Sequence, residues 1–184
     1  MRLVAGIAEK MASNQKQIAI SEFFEKNKHF LGFDSLPRSI ITAVKEAVDN
    51  SLDACEEARI LPDIHIKISK IDSKKDILEL VSEDNGPGIP QTSIEKVFGQ
   101  LLFGSRFHAI RQSRGQQGIG ITGVVMYSQL TTGKPTHVLS KIASEPTATS
   151  VKIGLDTRKN KAVKSEQNRI IWENEDLTLK EHGL

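Results

Sequence analysis

The residues of this chain that are best suited to chemistry lie between Glu46 and Asp53. Each residue of a helix advances by about 100°. A helix over this stretch would therefore gather three carboxylates and one carboxamide within about a third of its circumference, namely Glu46, Asp49, Asn50 and Asp53. Apolar residues fall on the opposite side. Taken alone, such a face is more often simply solvated than functional.

A second candidate is the segment Asp84-Asn85-Gly86-Pro87-Gly88. It places a carboxylate at the end of a predicted strand, directly before two glycines that let a backbone approach a ligand closely. An acidic side chain there could accept a hydrogen bond from an exocyclic amine such as that of adenine. Asn-Gly and Gly-Pro pairs also mark ordinary turns, so both interpretations stay open for this segment alone.

A third candidate is the glycine-rich run from Gly115 to Gly120, which leads straight into a predicted helix. Free backbone N–H groups and the helix dipole favour an anion there, and a phosphate is the natural occupant. Three arginines bring positive charge to the same segment: Arg106, Arg111 and Arg114. A flexible basic surface loop would have a similar composition, and no strand directly precedes the run, which counts against a dinucleotide-binding motif.

Together the three candidates describe a nucleoside triphosphate site. Attack of water on a γ-phosphate needs a positioned base and a divalent ion that neutralises charge on oxygen. Glu46 would orient or deprotonate the water, and Asn50 would present its side-chain oxygen to Mg²⁺. Asp49 or Asp53 could tune Glu46 through like-charge repulsion.

Hydrophobic periodicity and turn signals predict the elements that must position these residues. Helices are expected within residues 21–33 and over residues 37–59, 92–102 and 121–130. Strands are expected over residues 64–69, 77–81, 137–143, 149–155 and 169–172. Residues 103–120 form a long polar connection of the kind that is usually a working loop. This order predicts an α+β fold, a two-layer sandwich with helices on one face of a mixed, mostly antiparallel sheet.

Composition limits the function classes. A chain of 184 residues with 38% hydrophobic content can bury one sizeable core. Its 25 basic and 23 acidic residues give a net charge of only +2, so bulk electrostatics gives no strong reason for direct nucleic-acid binding. The single cysteine, Cys55, is expected to pack rather than react. With no apolar run long enough for a signal or a membrane span, we expect a cytoplasmic protein with no membrane partner.

The motifs resemble those of the Bergerat-fold (GHKL) ATPases, which include gyrase, MutL, the ninety-kilodalton heat-shock chaperone and sensor histidine kinases. The matching runs are EAVDNSLDA at residues 46–54, DNGPGI at residues 84–89 and the glycine-rich run at residues 115–120, which matches the lid of these ATPases. Three further runs resemble the B subunit of DNA topoisomerase VI, a type IIB enzyme of archaea: EFFEKNK at residues 22–28, LFGSRFH at residues 102–108 and QSRGQQGIGI at residues 112–121.

The resemblance implies that Glu46 is the hydrolytic base, that Asn50 binds Mg²⁺ and phosphate, and that Asp84 binds adenine beside Gly86 and Gly88. It implies cofactors ATP and Mg²⁺. The residues that would wrap the nucleotide, called the predicted lid below, are Ser105, Arg106, Arg114, Gly115, Gln116, Gln117, Gly118, Ile119, Gly120 and Ile121.

The resemblance also implies an architecture and partners. Residues 1–20 would be a strap exchanged between two B subunits, and residues 21–184 an ATP-binding domain that ends before a transducer domain carrying a lysine for the γ-phosphate. ATP would close two B subunits against each other while an A subunit cuts DNA, so that strand passage relaxes and decatenates DNA. We expect nucleotide binding with weak or absent turnover in isolation.

Two alternatives remain open. The chain could be a non-catalytic, ATP-gated dimerisation module or a MutL-like repair ATPase, which shares the first two motifs but is expected to differ in its lid. A sensor histidine kinase would need a phosphoacceptor histidine, and none of the five histidines lies in a plausible upstream helix.

Overall fold

The computed structural model describes residues 20–72, 76–99, 120–156, 161–173 and 180–184. Four helices are described: α1 (Ile20–Leu31), α2 (Leu36–Ala58), α3 (Gln91–Gly99) and α4 (Gly120–Thr132). Five strands are described: β1 (Ile64–Asp72), β2 (Ile77–Asp84), β3 (Thr136–Ser140), β4 (Ala148–Asp156) and β5 (Lys161–Ile170). None of these helices combines the length and the apolar character needed to cross a lipid bilayer.

The long helix α2 begins and ends as its sequence predicts. Ser35 has an extended backbone at the N-cap, and Pro37 lies in the first turn, where its missing N–H costs nothing. At the other end Arg59 adopts a left-handed conformation with φ of 59°, and the N–H of Ile60 bonds the carbonyl of Cys55 at 2.9 Å. These bonds satisfy carbonyls that the last turn would otherwise leave without a partner.

The described strands form two antiparallel groups. Strand β1 pairs with β2, and β3, β4 and β5 pair in that order. Gly183 and Leu184 connect the groups: Gly183 pairs with Lys141 just after β3, and the carbonyl of Leu184 accepts the N–H of Asp84 at the end of β2.

The core lies between the helices and the strands. Buried side chains from α1, the turn after it, α3, α4, β3 and β4 form one cluster: Phe24, Phe33, Ile94, Phe98, Val125, Met126, Val138, Val151, Ile153 and Leu155. Phe33 stacks on Tyr127 with ring centroids 5.0 Å apart, which ties the turn after α1 to α4. This layering confirms the predicted α+β fold.

The described strands match the predicted ones in number and order, but one is misplaced and one ends early. The strand predicted at residues 169–172 is wrong, because β5 begins at Lys161 and ends at Ile170. Almost every side chain of β5 is exposed, so the strand has no apolar alternation and is held by backbone pairing to β4. Strand β3 also ends earlier than predicted, at Ser140.

Gly88 lies where two backbones meet, and this gives a stability prediction. Its φ is +73°, and a Cβ built there would lie 1.9 Å from the carbonyl oxygen of Lys141. Gly88→Ala should therefore lower the free energy of unfolding by about 2–4 kcal/mol, measured by urea denaturation. Gly133 is the matched control, since its φ is +72° with nothing within 4 Å of a Cβ; Gly133→Ala should cost only about 1 kcal/mol. Equal losses in the two variants would contradict this close approach.

Candidate functional site

Asp84 is the last residue of β2 and its side chain is buried, with a relative exposure of 5%. Its Oδ2 accepts a hydrogen bond from the Ser51 hydroxyl at 2.7 Å, and its Oδ1 accepts the backbone N–H of Gly86 at 2.9 Å. A carboxylate has about four lone-pair sites, so each oxygen keeps acceptor capacity for a further donor. Asp84 is thus a fixed hydrogen-bond acceptor at the start of the loop that was predicted to bind adenine.

Ser51 is a residue that the sequence interpretation missed. It lies on α2 next to Asn50, is buried, and joins this helix to the end of β2 through Asp84. A signal was available, because a hydroxyl among the apolar positions of a helix needs a hydrogen-bond partner when it is buried. Sequence alone could not say that this partner is the carboxylate 33 positions later.

Glu46 is half-buried on α2, with 21% of its side chain exposed. Burial raises the pKa of its carboxyl above the ordinary value of 4.5, the charge of Lys45 opposes this shift, and the charge of Asp49 adds to it. The Lys45 ammonium lies 3.9 Å from Glu46 but 2.7 Å from Asp49, so it pairs mainly with Asp49. The predicted like-charge influence of Asp49 on Glu46 therefore has the expected direction.

Gly120, the first residue of α4, packs directly against Glu46. A Cβ built at Gly120 would lie 1.8 Å from Oε2 and 2.6 Å from Cδ of Glu46. The helix end that was predicted to bind a phosphate therefore lies beside the predicted base. Only glycine permits this approach without moving the carboxylate.

Asn50 is exposed, and its amide nitrogen donates to the Glu46 backbone carbonyl at 2.6 Å. This bond turns the amide nitrogen towards its own helix. It leaves Oδ1 as the atom that can accept a hydrogen bond or bind a metal ion. Among the described residues no group of three or more His, Cys, Asp or Glu could hold a metal ion by itself. An isolated carboxamide oxygen still suits Mg²⁺, which usually takes one or two protein ligands together with phosphate oxygens and waters.

The loop at residues 84–89, called the Asp84 loop below, contains two glycines, and both lie close to other protein atoms. A Cβ at Gly86 would come within 3.0 Å of Oδ1 of Asp84, and Gly88 meets the backbone of Lys141. The far end of the loop is held by the buried Ser140, whose hydroxyl accepts the N–H of Ile89 at 2.7 Å and donates to its carbonyl at 3.1 Å. The loop is therefore fastened at both ends, and nucleotide contacts by Gly86 and Gly88 stay a prediction.

Asp53, the remaining carboxylate of the predicted acidic face, and Cys55 are both buried. Asp53 has a relative exposure of 7% and Cys55 of 0%, so the face predicted to be acidic does not lie wholly at the surface. Burial, followed by the charge of Asp84, raises the pKa of the Cys55 thiol. Cys55 therefore packs as a thiol, as predicted.

Most of the predicted lid lies outside the described residues. Ser105, Arg106, Arg114, Gly115, Gln116, Gln117, Gly118 and Ile119 belong to this part of the chain. The next residue of the lid, Gly120, contacts Glu46, and Ile121 packs half-buried against the core. The described part of the lid is thus its exit into α4.

Helix α2 links the positions of Asp84 and Glu46. Ser51 and Glu46 are five residues apart on α2, which is about 7.5 Å along the helix axis. Ser51 holds the acceptor Asp84 at one point, and Glu46 meets the N-terminus of α4 at the other. Helix α2 therefore both carries Glu46, the predicted hydrolytic base, and fixes through Ser51 the carboxylate of Asp84, the predicted adenine ligand.

Comparison with known proteins gives a family and close relatives. The model of the histidine kinase-, DNA gyrase B- and HSP90-like ATPases matches residues 35–161. The B subunit of type 2 DNA topoisomerase 6 from Archaeoglobus fulgidus is 57% identical over 162 residues, which cover 88% of this chain and 26% of the relative. A protein of the same name from Halobacterium salinarum is 54% identical over 172 residues, covering 94% and 21%.

A third protein of that name, from Methanococcoides burtonii, is 57% identical over 158 residues, covering 86% of this chain and 25% of the relative. The chain thus spans about a quarter of the length of the curated relatives it matches. The similarity was predicted from the motifs and is confirmed.

Proposed function

This chain belongs to the family of histidine kinase-, DNA gyrase B- and HSP90-like ATPases, and from that membership we propose that it is the ATP-binding and ATP-hydrolysing region of a type IIB DNA topoisomerase B subunit. The proposal is supported by relatives at 54–57% identity that are named as the B subunit of topoisomerase 6. The observation that carries it is the buried Asp84 carboxylate, fixed by Ser51 and Gly86 within reach of the helix that bears Glu46.

In the proposed reaction each residue has a separate role. Asp84 accepts a hydrogen bond from the exocyclic amine of adenine, and the N-terminus of α4 with the lid residues binds the phosphates. Glu46 orients the attacking water and takes its proton, since its raised pKa makes it a stronger base than an ordinary carboxylate.

Mg²⁺ is proposed as the second cofactor. Asn50 would present Oδ1 to it, because the amide nitrogen of that residue is held by the Glu46 carbonyl. When bound, the ion would neutralise charge on the phosphate oxygens. The protein's part is to hold that amide on a helix whose backbone also carries the base.

The partners follow from the same proposal. Two B subunits would associate on binding ATP, with residues 1–20 as the exchanged strap, and DNA would be cut by the A subunit of the complex. The names of the relatives support a subunit of a topoisomerase, and the cytoplasmic location predicted from the sequence agrees with a DNA substrate. The division into a strap and a domain stays a prediction, and Ile20 already belongs to α1.

The test is a titration of this chain with ATP and Mg²⁺ by calorimetry, with phosphate release followed in the same samples. We expect saturable binding at a 1:1 ratio with little turnover. Light scattering should show a doubled mass with a non-hydrolysable ATP analogue. Absence of ATP binding would contradict the proposed function. Dimerisation without any turnover in a full-length subunit would instead favour the non-catalytic dimerisation module.

A further inference from the structure

Residues 180–184 lie behind the Asp84 loop and hydrogen-bond to it. The carbonyl of Leu184 accepts the N–H of Asp84 at 2.9 Å, and Gly183 exchanges two backbone bonds of 2.9 Å with Lys141. A Cβ at Gly183 would lie 2.2 Å from the Asp84 carbonyl oxygen. This back segment, residues 180–184, is therefore in van der Waals contact with the residue proposed to bind adenine.

His182 adds a side-chain bond to the same loop. Its Nδ1 lies 2.8 Å from the carbonyl oxygen of Gly86. Since a carbonyl only accepts, Nδ1 must carry a proton and donate. The N–H of Gly86 in turn donates to Oδ1 of Asp84 at 2.9 Å. His182 thus holds the glycine that holds the carboxylate.

The back segment is anchored before His182 as well as after it, where Gly183 and Leu184 make the backbone bonds given above. The ammonium of Lys180 lies 2.7 Å from Glu83 and 4.9 Å from the ring centre of Trp172. The ammonium of Lys141, which is buried, donates to the Glu181 carbonyl at 3.3 Å. Because these contacts fix the backbone around His182, its imidazole can determine where the Asp84 loop lies.

We infer that His182 is a positioning residue for purine recognition: through the Gly86 carbonyl it sets the place of the Asp84 carboxylate. The inference rests on the proposed function, in which Asp84 reads the exocyclic amine. A loop released from His182 would hold Asp84 less firmly, so the bond to that amine would weaken. Contacts to the triphosphate, made by other elements, would not change.

The experiment compares ATP with inosine triphosphate, which carries a carbonyl oxygen in place of the amine. Two variants of the whole chain isolate the Nδ1 donor. His182→Asn places an amide nitrogen where Nδ1 stands, because both are bonded to Cγ, whereas His182→Gln moves the amide one carbon further out. We expect wild type to prefer ATP over inosine triphosphate by at least about tenfold.

In His182→Gln the affinity for ATP should fall about fivefold, the loss of one hydrogen bond, while the affinity for inosine triphosphate stays unchanged. His182→Asn should keep the wild-type preference. His65, exposed on β1, gives the control: His65→Gln should change neither affinity. Calorimetry measures all dissociation constants below the onset of thermal unfolding of each variant.

The outcomes separate the two claims. If wild type binds ATP no better than inosine triphosphate, the proposed role of Asp84 fails. If wild type discriminates and His182→Gln keeps the full preference, or loses affinity for both nucleotides equally, the inference about His182 fails while the function stands. If His182→Gln does not fold, NMR of the imidazole nitrogens of wild-type His182 tests the inference instead. Their signals should shift when ATP and Mg²⁺ are added, and unchanged signals would overturn the inference.

Discussion

Asp84→Asn is expected to abolish measurable ATP binding by this chain. The carboxylate accepts from Ser51 and from the Gly86 N–H, and both oxygens must go on accepting if adenine is to add a third donor. An amide has only one acceptor oxygen. That oxygen must face the Gly86 N–H, so the new NH₂ group takes the place of Oδ2, which faces Ser51. Half of the acceptor capacity of the carboxylate is then replaced by a donor, and the affinity for ATP should fall about 100-fold or more, about 3 kcal/mol.

Calorimetric titration with ATP and Mg²⁺ measures this loss. Asp63→Asn is the matched control, because Asp63 is exposed near the same loop, with 71% of its side chain accessible, and it should bind as wild type does. Circular dichroism should show that Asp84→Asn is folded, since one hydrogen bond of the carboxylate is retained. Wild-type affinity in Asp84→Asn would exclude this carboxylate as the adenine acceptor.

Removal of the Glu46 carboxylate is expected to eliminate ATP hydrolysis and to preserve ATP binding. Loss of a general base typically costs about 10²–10⁴ in rate, and the base makes no contact that adenine needs. Glu46→Ala and the isosteric Glu46→Gln should behave alike in a full-length subunit, where turnover is followed by phosphate release. Glu46→Gln has the further use that it keeps the packing against Gly120. Intact turnover in either variant would disprove the mechanism.

The control for Glu46 is the neighbouring carboxylate Asp49, which is paired with Lys45 at 2.7 Å. Asp49→Asn should retain hydrolysis. It removes a charge that raises the pKa of Glu46, so it should also move the acid limb of the pH profile to lower pH. In wild type, activity should fall as the pH drops through the raised pKa of Glu46, because the protonated form cannot accept a proton.

The same shift fixes the sign of a stability effect. Burial raises the pKa of Glu46 in the folded chain above its unfolded value of about 4.5. The contribution of this group to stability is therefore fully present below the unfolded pKa and is lost as the pH rises through the folded pKa. At neutral pH the ionised carboxylate destabilises the fold, so Glu46→Gln should raise the melting temperature there.

Much of the fold could be predicted from local patterns. The apolar periodicity of α2, the proline in its first turn and the alternating isoleucines of β1 each act over a few neighbouring residues. The structure has these elements where they were expected. Strand β5 was misplaced because its residues are exposed and polar. Its position is set by pairing with β4, which no local pattern encodes.

The residues of the candidate site could likewise be predicted only in part. Glu46, Asn50 and Asp84 could be singled out because carboxylates beside glycines and along one helix face have recognisable spacing. Ser51 and His182 could not, since each acts on a residue far along the chain, Asp84 and Gly86 respectively. A serine and a histidine have many uses, and only their partners show which one applies.

The sequence by itself determined which helix carries the carboxylates, which loop carries the acceptor and which family the motifs resemble, because these depend on residue type and on spacing over about one or two helical turns. The tertiary structure alone decided that Gly120 meets Glu46, that Ser51 fixes Asp84, and that Leu184 and His182 hold the loop from behind. Contacts between distant segments depend on how the helices and strands pack together, and that packing is a property of the whole core.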